Sequence, residues 1–130
     1  MSNEPLRGCP TCGTKVTDLK MGLRDYRWVS EALPGRVAPM DLDCVLERRS
    51  NFLVMEFKPK GAALPLGQLL TLKALVHLGM TVWVVWEDEE WVEVGAMDKH
   101  GNVPFIERMK QTRLRRRVTE WFHDASEEEK

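Results

Sequence analysis

The sequence predicts a single α/β domain in which helices flank a mixed sheet. Segments with apolar residues three or four positions apart alternate with short β-branched segments, in the order helix, strand, strand, helix, strand, strand, helix. The run 82–86 is apolar throughout, which is typical of a strand buried on both faces. The chain has 130 residues, 43% of them hydrophobic, enough for one domain that buries roughly two thirds of its unfolded surface.

The first helix is predicted over about residues 18–33. Asp18 is a suitable N-cap, and Pro34 with Gly35 ends the helix. Its apolar face follows the helical spacing and consists of Leu19, Leu23, Tyr26, Val29 and Leu33.

Two strands joined by a tight turn are predicted next. In residues 41–47 apolar and polar side chains alternate, as on a half-buried strand. Residues 48–51 form the turn, and the strand 52–57 follows and ends before Pro59. We therefore expect an antiparallel hairpin.

A second helix and two further strands complete the predicted sheet layer. The helix spans about residues 66–78 and ends at Gly79, a residue suited to the position after a helix. The strands cover residues 81–86 and 91–97, and the first of them is β-branched and aromatic.

The final helix is predicted to start at Pro104 or at Thr112 and to end near His123. Its arginines should face solvent while its apolar side chains pack against the sheet. The side chains expected to be buried are Leu114, Val118, Trp121 and Phe122.

Composition and local patterns exclude several classes of protein. The longest apolar run, 82–86, is far shorter than the roughly 20 residues of a membrane helix. The N-terminal residues lack the basic and apolar segments of a secretion signal. Three cysteines, an odd number, do not form a disulfide framework. We therefore expect a protein of the reducing cytoplasm with no membrane partner.

The charges are balanced in number but uneven in position. The net charge is −1, from 19 basic and 20 acidic residues, which argues against binding nucleic acid by bulk positive charge. However, six basic residues and no acid lie between Arg108 and Arg117, whereas acids cluster at 87–90 and 124–129. The sequence thus allows a basic surface beside an acidic site.

The most informative group of residues combines carboxylates with a lysine. Glu56 and Lys58 share a strand face because alternate side chains project the same way. Asp41 and Asp43 likewise share a face of the preceding strand, and a hairpin brings the two polar faces together. Carboxylates held this closely repel one another unless a cation lies between them. Mg²⁺ fits because it binds oxygen ligands and leaves room for water and a substrate phosphate.

Two further residues complete this predicted site. A metal ion acidifies a bound water and neutralises charge on a phosphate. Lys58 can orient that water or offset charge in the transition state. Gln68, at the start of the second helix, can reach over the same pocket.

The order of these motifs resembles the PD-(D/E)xK nuclease superfamily. The similar stretches are 39–47, 52–58 and 67–72, which match an acid at the start of one strand, an acid-x-Lys on the next, and a glutamine-bearing helix. The resemblance covers about residues 19–86 and implies a restriction-endonuclease-like α-β-β-β-α-β core. Segment 66–86 also resembles the replication-repair nuclease branch, whose helix ends in Leu-Gly before an apolar strand.

The resemblance implies a role for each residue of the motif. Glu56 follows Asp43 by thirteen positions, the separation associated with archaeal-type Holliday-junction resolvases. Asp43 and Glu56 would hold Mg²⁺ or Mn²⁺, with the Phe57 carbonyl as an additional ligand. Lys58 would position or activate the water, and Gln68 would assist.

Two other acids are secondary candidates for the same site. Asp41 competes with Asp43 for the position of the motif aspartate. Glu31 is the best match to the glutamate that the superfamily carries on its first helix, although Arg27 lies four residues earlier and can simply pair with it.

The implied activity is that of a metal-dependent DNA endonuclease that recognises branched DNA, as a resolvase-like homodimer. An exonuclease or end-processing nuclease of the same fold is one alternative. The domain would span residues 18–124, between a Cys-x-x-Cys segment at 1–17 and an acidic tail at 125–130. The residues expected to contact DNA are Arg48, Arg49, Lys60, Arg113, Arg116 and Arg117.

The pair Cys9 and Cys12 resembles one knuckle of a zinc ribbon. Tetrahedral Zn²⁺ needs four ligands, and besides this pair the chain offers only Cys44 and three histidines. Two chains could complete a four-cysteine site between them; the alternative is that both thiols are free. A non-catalytic zinc-ribbon protein that binds nucleic acid or recruits a partner is accordingly the alternative from another functional class.

Overall fold

The structure, a computed structural model, describes residues 25–35 and 38–127. The chain divides into two compact units, Met1–Pro39 and Met40–Lys130. In its described part the first unit contains one short helix, α1 (Arg27–Ala32). The N-cap Asp18 and the pair Cys9 and Cys12 lie outside the described residues.

The second unit contains the sheet and two longer helices. In chain order its elements are β1 (Cys44–Arg48), β2 (Asn51–Pro59), α2 (Leu66–His77), β3 (Thr81–Asp88), β4 (Trp91–Ala96), β5 (Ile106–Lys110) and α3 (Gln111–Glu127). The five strands form one sheet in the order β1-β2-β3-β4-β5. The described helices are not long and apolar enough to cross a membrane.

The sheet is mixed because only one pair of neighbouring strands is parallel. β2 pairs with β3 in parallel, and α2 is the crossover that such a connection requires. The other neighbouring pairs are antiparallel. This arrangement confirms the predicted α/β class and the mixed sheet flanked by helices.

The hairpin β1–β2 has the predicted position and a two-residue turn. Arg49 and Ser50 have φ values of 53° and 68°, as a type I′ turn requires, and this turn matches the twist of antiparallel strands. The turn aligns Cys44 with Met55 at the other end of the hairpin. β1 therefore begins three residues later than predicted, and Asp41 and Asp43 precede it.

Each face of the sheet has its own apolar cluster. On one face Leu53 and Met55 of β2 pack in a cluster with Leu114 of α3. On the other face Val54 packs in a cluster with Leu72 of α2. Since successive β2 residues point to opposite faces, α2 and α3 cover opposite sides of the sheet.

The C-terminal part differs from the prediction in two ways. The option of a helix starting at Pro104 is wrong, because Ile106–Lys110 forms β5 along β4; α3 begins at Gln111, close to the alternative start. Phe122 was predicted to be buried but is 42% exposed. Its ring lies at the surface, where the Arg48 guanidinium is 4.8 Å from the ring centroid. A cation over an aromatic face is favourable at such a distance.

Candidate active site

Glu56 and Lys58 lie near the carboxyl end of β2, on the face that α2 covers. The Glu56 side chain is 3% exposed, although a carboxylate is rarely buried without a partner. Its Oε2 is 3.6 Å from the Lys58 Nζ, and 15% of the Lys58 side chain is exposed. The sequence-predicted pair thus shares one face, with the carboxylate inside and the ammonium group at the rim.

Asp43 lies directly beside this pair. The register that aligns Cys44 with Met55 puts Asp43 opposite Glu56, and residues directly opposite on antiparallel strands share a face. The Asp43 Oδ2 accepts a hydrogen bond from the Phe57 N–H at 2.9 Å. A carboxylate thus takes the place of a backbone partner where the β1–β2 ladder ends. Asp43 itself is exposed, so the site opens to solvent on this side.

Gln68 reaches the same carboxylate from the first turn of α2. Its Nε2 donates a hydrogen bond to Glu56 Oε2 at 2.9 Å. Both remaining oxygens, Glu56 Oε1 and Gln68 Oε1, are buried and have no hydrogen-bond partner within the described part of the chain. Leaving such a group unsatisfied costs about 1–3 kcal/mol. A buried oxygen without a donor is a position that a cation or an ordered water can fill.

The environment of Glu56 disfavours its ionised form. Burial raises the pKa of the Glu56 carboxyl, and the nearby negative charge of Asp43 raises that pKa further. Lys58 opposes the shift but does not cancel it. A divalent cation between Asp43 and Glu56 would remove both causes of the raised Glu56 pKa. It would replace the hydration that burial takes away, and it would neutralise the repulsion between the two carboxylates.

The donor set fits a hard divalent ion that keeps part of its water shell. Among residues 25–35 and 38–127, no group of three or more His, Cys, Asp or Glu side chains is arranged to hold a metal. Mg²⁺ is commonly held by only one or two carboxylates with waters and substrate phosphates. The Phe57 carbonyl projects from the same edge of β2 as the Phe57 N–H, which donates a hydrogen bond to Asp43. The carbonyl oxygen therefore borders the same site as the Asp43 carboxylate.

Of the two secondary acids, Asp41 belongs to the same unit as this cluster and Glu31 belongs to the other unit. Asp41 is exposed and precedes β1, whereas Asp43 contacts the strand that carries Glu56. Glu31 is exposed on α1, in the first unit. Its role stays a prediction.

The arginines of the hairpin turn are far from the site. Arg48 donates to Ser126 Oγ at 2.7 Å, and Arg49 donates to the Ser126 carbonyl at 2.6 Å. The turn precedes Asn51, and from Asn51 to Glu56 the strand rises roughly 17 Å at about 3.3 Å per residue. These arginines hold the end of α3 against the hairpin, and their expected contact with DNA stays a prediction.

The arginines of α3 lie on the opposite side of the sheet from Glu56. Arg113 and Arg117 form ion pairs with Glu107 at 3.4 and 3.3 Å, and Arg116 is exposed. Because α3 packs on the cluster that contains Leu53, its basic side chains have no direct path to the carboxylates.

Two other cations lie at the same end of the sheet as the site. Lys60 follows β2, is 64% exposed, and pairs with Asp88 at 3.3 Å. Arg108 pairs with the same Asp88 carboxylate at 3.1 Å and aligns with Glu93 of β4. Arg108 is not among the predicted site residues, because in the sequence it belongs to the basic stretch between Arg108 and Arg117.

Comparison with known proteins gives no relative from which a role could be transferred. No family model, no curated protein and no solved structure matches the chain.

Proposed function

We propose that the protein is a metal-dependent DNA endonuclease that hydrolyses phosphodiester bonds with Mg²⁺ or Mn²⁺. The observation that carries the proposal is the convergence of Asp43, Lys58 and Gln68 on Glu56, a buried carboxylate with one unpartnered oxygen. A purely structural glutamate would have both oxygens satisfied, because burial without partners destabilises the fold. This arrangement therefore favours a ligand-binding role.

The order of elements around the site is a second support. The sequence β1–β2–α2–β3 corresponds to the last four elements of the α-β-β-β-α-β core expected from the PD-(D/E)xK resemblance. Asp43 precedes one strand, Glu56 and Lys58 lie on the next, and Gln68 lies on the helix that follows. Residues 38–127 contain two strands before α2 where that core has three.

In the proposed reaction each residue acts through a contact that its position allows. Asp43 and Glu56 would hold the metal ion, with the Phe57 carbonyl as a further oxygen ligand. When bound, the ion lowers the pKa of a coordinated water and neutralises charge on the phosphate. Lys58, at the rim, orients the attacking water and offsets the negative charge that develops on the phosphate oxygens. Gln68 keeps the Glu56 carboxylate in place and presents its own amide oxygen to the water.

The proposed substrate is DNA, and a branched junction is the preferred form. Lys60 is the predicted DNA-binding residue that lies on the site's side of the sheet and is exposed. A cation in this position neutralises a backbone phosphate and makes binding sensitive to salt.

The test is cleavage of four DNA substrates by the purified full chain in Mn²⁺: a four-way junction, a flap, a linear duplex and a closed circle. Wild type is compared with Lys58→Ala and Glu56→Gln, and Lys99→Ala, an exposed lysine on the β4–β5 loop, is the matched control. We expect cleavage by wild type and Lys99→Ala, and a loss of at least about a hundredfold in the other two variants.

Each alternative function predicts a different result in the same experiment. Cleavage of linear DNA while the closed circle stays intact would indicate an exonuclease or end-processing enzyme. No cleavage by wild type, with zinc found by metal analysis, would indicate the non-catalytic binding protein; binding should then depend on Cys12 and not on Glu56. Full activity of Lys58→Ala would refute the role assigned to the lysine.

A further inference from the structure

A cavity opens on the α3 side of the sheet, away from the candidate active site. Its volume is about 450 Å³, within the size range of small-molecule sites. Trp83 of β3, Glu107 of β5 and Arg117 of α3 are among the residues that line it. Trp83 belongs to the apolar cluster that α3 covers, whereas Glu56 lies on the other face of the sheet. The cavity is therefore separate from the acid–lysine pair.

Aromatic and apolar side chains form part of the cavity wall. Trp83 lies inside and is 8% exposed, whereas Phe105, just before β5, and Ile106 are 86% and 52% exposed. Gly95 of β4 allows the chain to take this path, because a Cβ there would collide with the Val103 side chain and lie 2.8 Å from the Phe105 carbonyl oxygen. An aromatic wall of this kind suits a planar ring.

The polar part of the wall belongs to a group with an excess of positive charge. Arg117 pairs with Glu107 at 3.3 Å, and Arg113 pairs with the other oxygen of the same carboxylate at 3.4 Å. Two guanidinium groups thus share one negative charge. Residues 111–119 of α3 include four arginines and no acid, and the N-terminal end of a helix is itself positive. An anion is therefore the complementary ligand.

The Arg117 guanidinium connects the aromatic and the charged parts of the wall. It lies 5.4 Å from the centroid of the Trp83 ring and donates a hydrogen bond to Glu107 Oε1. The side chains of this ion pair are 34% and 52% exposed, so the pair contributes little to stability. A phosphate can replace Glu107 as the partner of Arg117 at low cost, because Glu107 keeps its contact with Arg113.

The two kinds of wall together select the class of ligand. An apolar molecule would leave the arginines without a second counter-charge. Inorganic phosphate would leave the aromatic wall uncovered and most of the 450 Å³ unfilled. A nucleotide supplies both chemistries, since its base is a flat aromatic ring and its phosphate accepts paired hydrogen bonds from an arginine.

We propose that this cavity is a binding site for a mononucleotide. The base packs against Trp83 and Phe105, and the phosphate binds Arg117. Arg113 then neutralises Glu107 without the help of Arg117. Because the cavity and Glu56 lie on opposite sides of the sheet, this inference does not depend on the proposed nuclease activity.

The test is isothermal titration calorimetry of the full chain with AMP, GMP, CMP and UMP in turn. EDTA in the buffer excludes metal-mediated binding of phosphate at Glu56. The matching nucleoside and ribose phosphate are the two halves of each nucleotide and probe the two chemistries separately. For a ligand of about 23 non-hydrogen atoms, we expect at least one nucleotide to bind with a dissociation constant of about 10 µM. Each half of that nucleotide should bind at least about tenfold more weakly.

Three variants assign the contacts. Arg117→Gln should weaken nucleotide binding at least about tenfold and leave nucleoside binding unchanged, because it removes the partner of the phosphate. Glu107→Gln should strengthen nucleotide binding about threefold or more, because it removes the carboxylate that competes for Arg117. Arg115→Gln changes an exposed arginine of α3 that does not line the cavity, and this matched control should bind like wild type.

Several results would overturn the inference. Dissociation constants above about 1 mM for all four nucleotides, or ribose phosphate binding as tightly as the complete nucleotide, would exclude a nucleotide site. Unchanged binding by both Arg117→Gln and Glu107→Gln would place the ligand elsewhere. If a single-stranded oligonucleotide binds through Arg117 while no mononucleotide does, the arginine belongs to a DNA-contacting surface and the inference fails. Circular dichroism establishes that each variant is folded; if Arg117→Gln is not, the result for Glu107→Gln decides alone.

Discussion

Replacing Glu56 by glutamine should make the metal-free protein more stable while abolishing the proposed activity. The wild-type Glu56 side chain is 3% exposed, and its Oε1 has no partner among the described residues. An unsatisfied buried group of this kind costs about 1–3 kcal/mol. The amide keeps the size of the side chain, removes the repulsion from Asp43, and brings an N–H₂ group that can donate to the Asp43 carboxylate.

The expected gain follows from two opposing contributions. Glu56→Gln recovers the cost of about 1–3 kcal/mol and loses the mostly buried ion pair with Lys58 at 3.6 Å, whose attraction is largely offset by the cost of removing the two charges from water. The net stabilisation should be about 1 kcal/mol. For a chain of 130 residues, that corresponds to a rise in melting temperature of about 3–5 °C.

The gain should also depend on pH in a defined direction. The pKa of the Glu56 carboxyl is raised in the folded protein above its ordinary value of 4.5, so the folded state favours the protonated form. The stability of wild type is therefore complete below about pH 4.5 and decreases as pH rises through the folded-state pKa. The glutamine variant lacks this decrease. The difference between the two proteins should be small near pH 4.5 and reach its full size at pH 8.

The assay is urea unfolding of both proteins in EDTA at these two pH values. Glu120→Gln, a change of the same kind at an exposed position of α3, is the matched control and should change stability by less than about 0.5 kcal/mol. If Glu56→Gln is the less stable protein at pH 8, then Glu56 is a structural ion-pair residue, and the reasoning that assigns it to a metal ion is refuted.

Three further predictions concern the metal, the substrate and the neighbouring ion pairs. Addition of Mn²⁺ should raise the melting temperature of wild type in proportion to the logarithm of its concentration and leave Glu56→Gln unchanged; an equal shift in both, measured by differential scanning fluorimetry, would place the metal elsewhere. Lys60→Ala should weaken DNA binding and reduce the salt slope by about 1, whereas Arg116→Ala, on the opposite side of the sheet, should change neither in a fluorescence anisotropy titration; the reverse order would assign DNA binding to α3. The pKa of Asp88 is lowered by its hydrogen bonds to Arg108 and Lys60, so its stabilising contribution is present at neutral pH and is lost as pH falls through the folded-state pKa. Asp88→Asn should accordingly be less stable than wild type at pH 7 and approach it in acid; a constant difference in urea unfolding across this range would contradict the assignment.

Local pattern was sufficient to predict that Glu56 and Lys58 lie together on one face of a strand. Glu56 and Lys58 share a face because the side-chain period of a strand is two, whatever the strand pairs with. The second helix ends where expected because Gly79, with φ of 96°, adopts a conformation that other residues disfavour. The uniformly apolar 82–86 segment likewise required a strand covered on both faces.

Position along the chain could not show which distant groups approach the site. Asp43 rather than Asp41 contacts the strand of Glu56 because the turn at Arg49 sets the register of the hairpin, and a shift of one residue would reverse every side chain. β5 has five residues, which are too few for periodicity alone to distinguish a strand from the first turn of a helix. Its pairing with β4 makes this segment a strand.

The sequence by itself therefore determined the class of the fold, the faces of its strands and the central acid–lysine pair, since these follow from short-range geometry. Only the tertiary structure decided that α3 and its arginines pack on the side of the sheet away from Glu56. It also decided that α2 brings Gln68 to that carboxylate. The physical reason is that the side of a sheet on which a helix packs depends on the path of the connecting chain and on which apolar face it can bury.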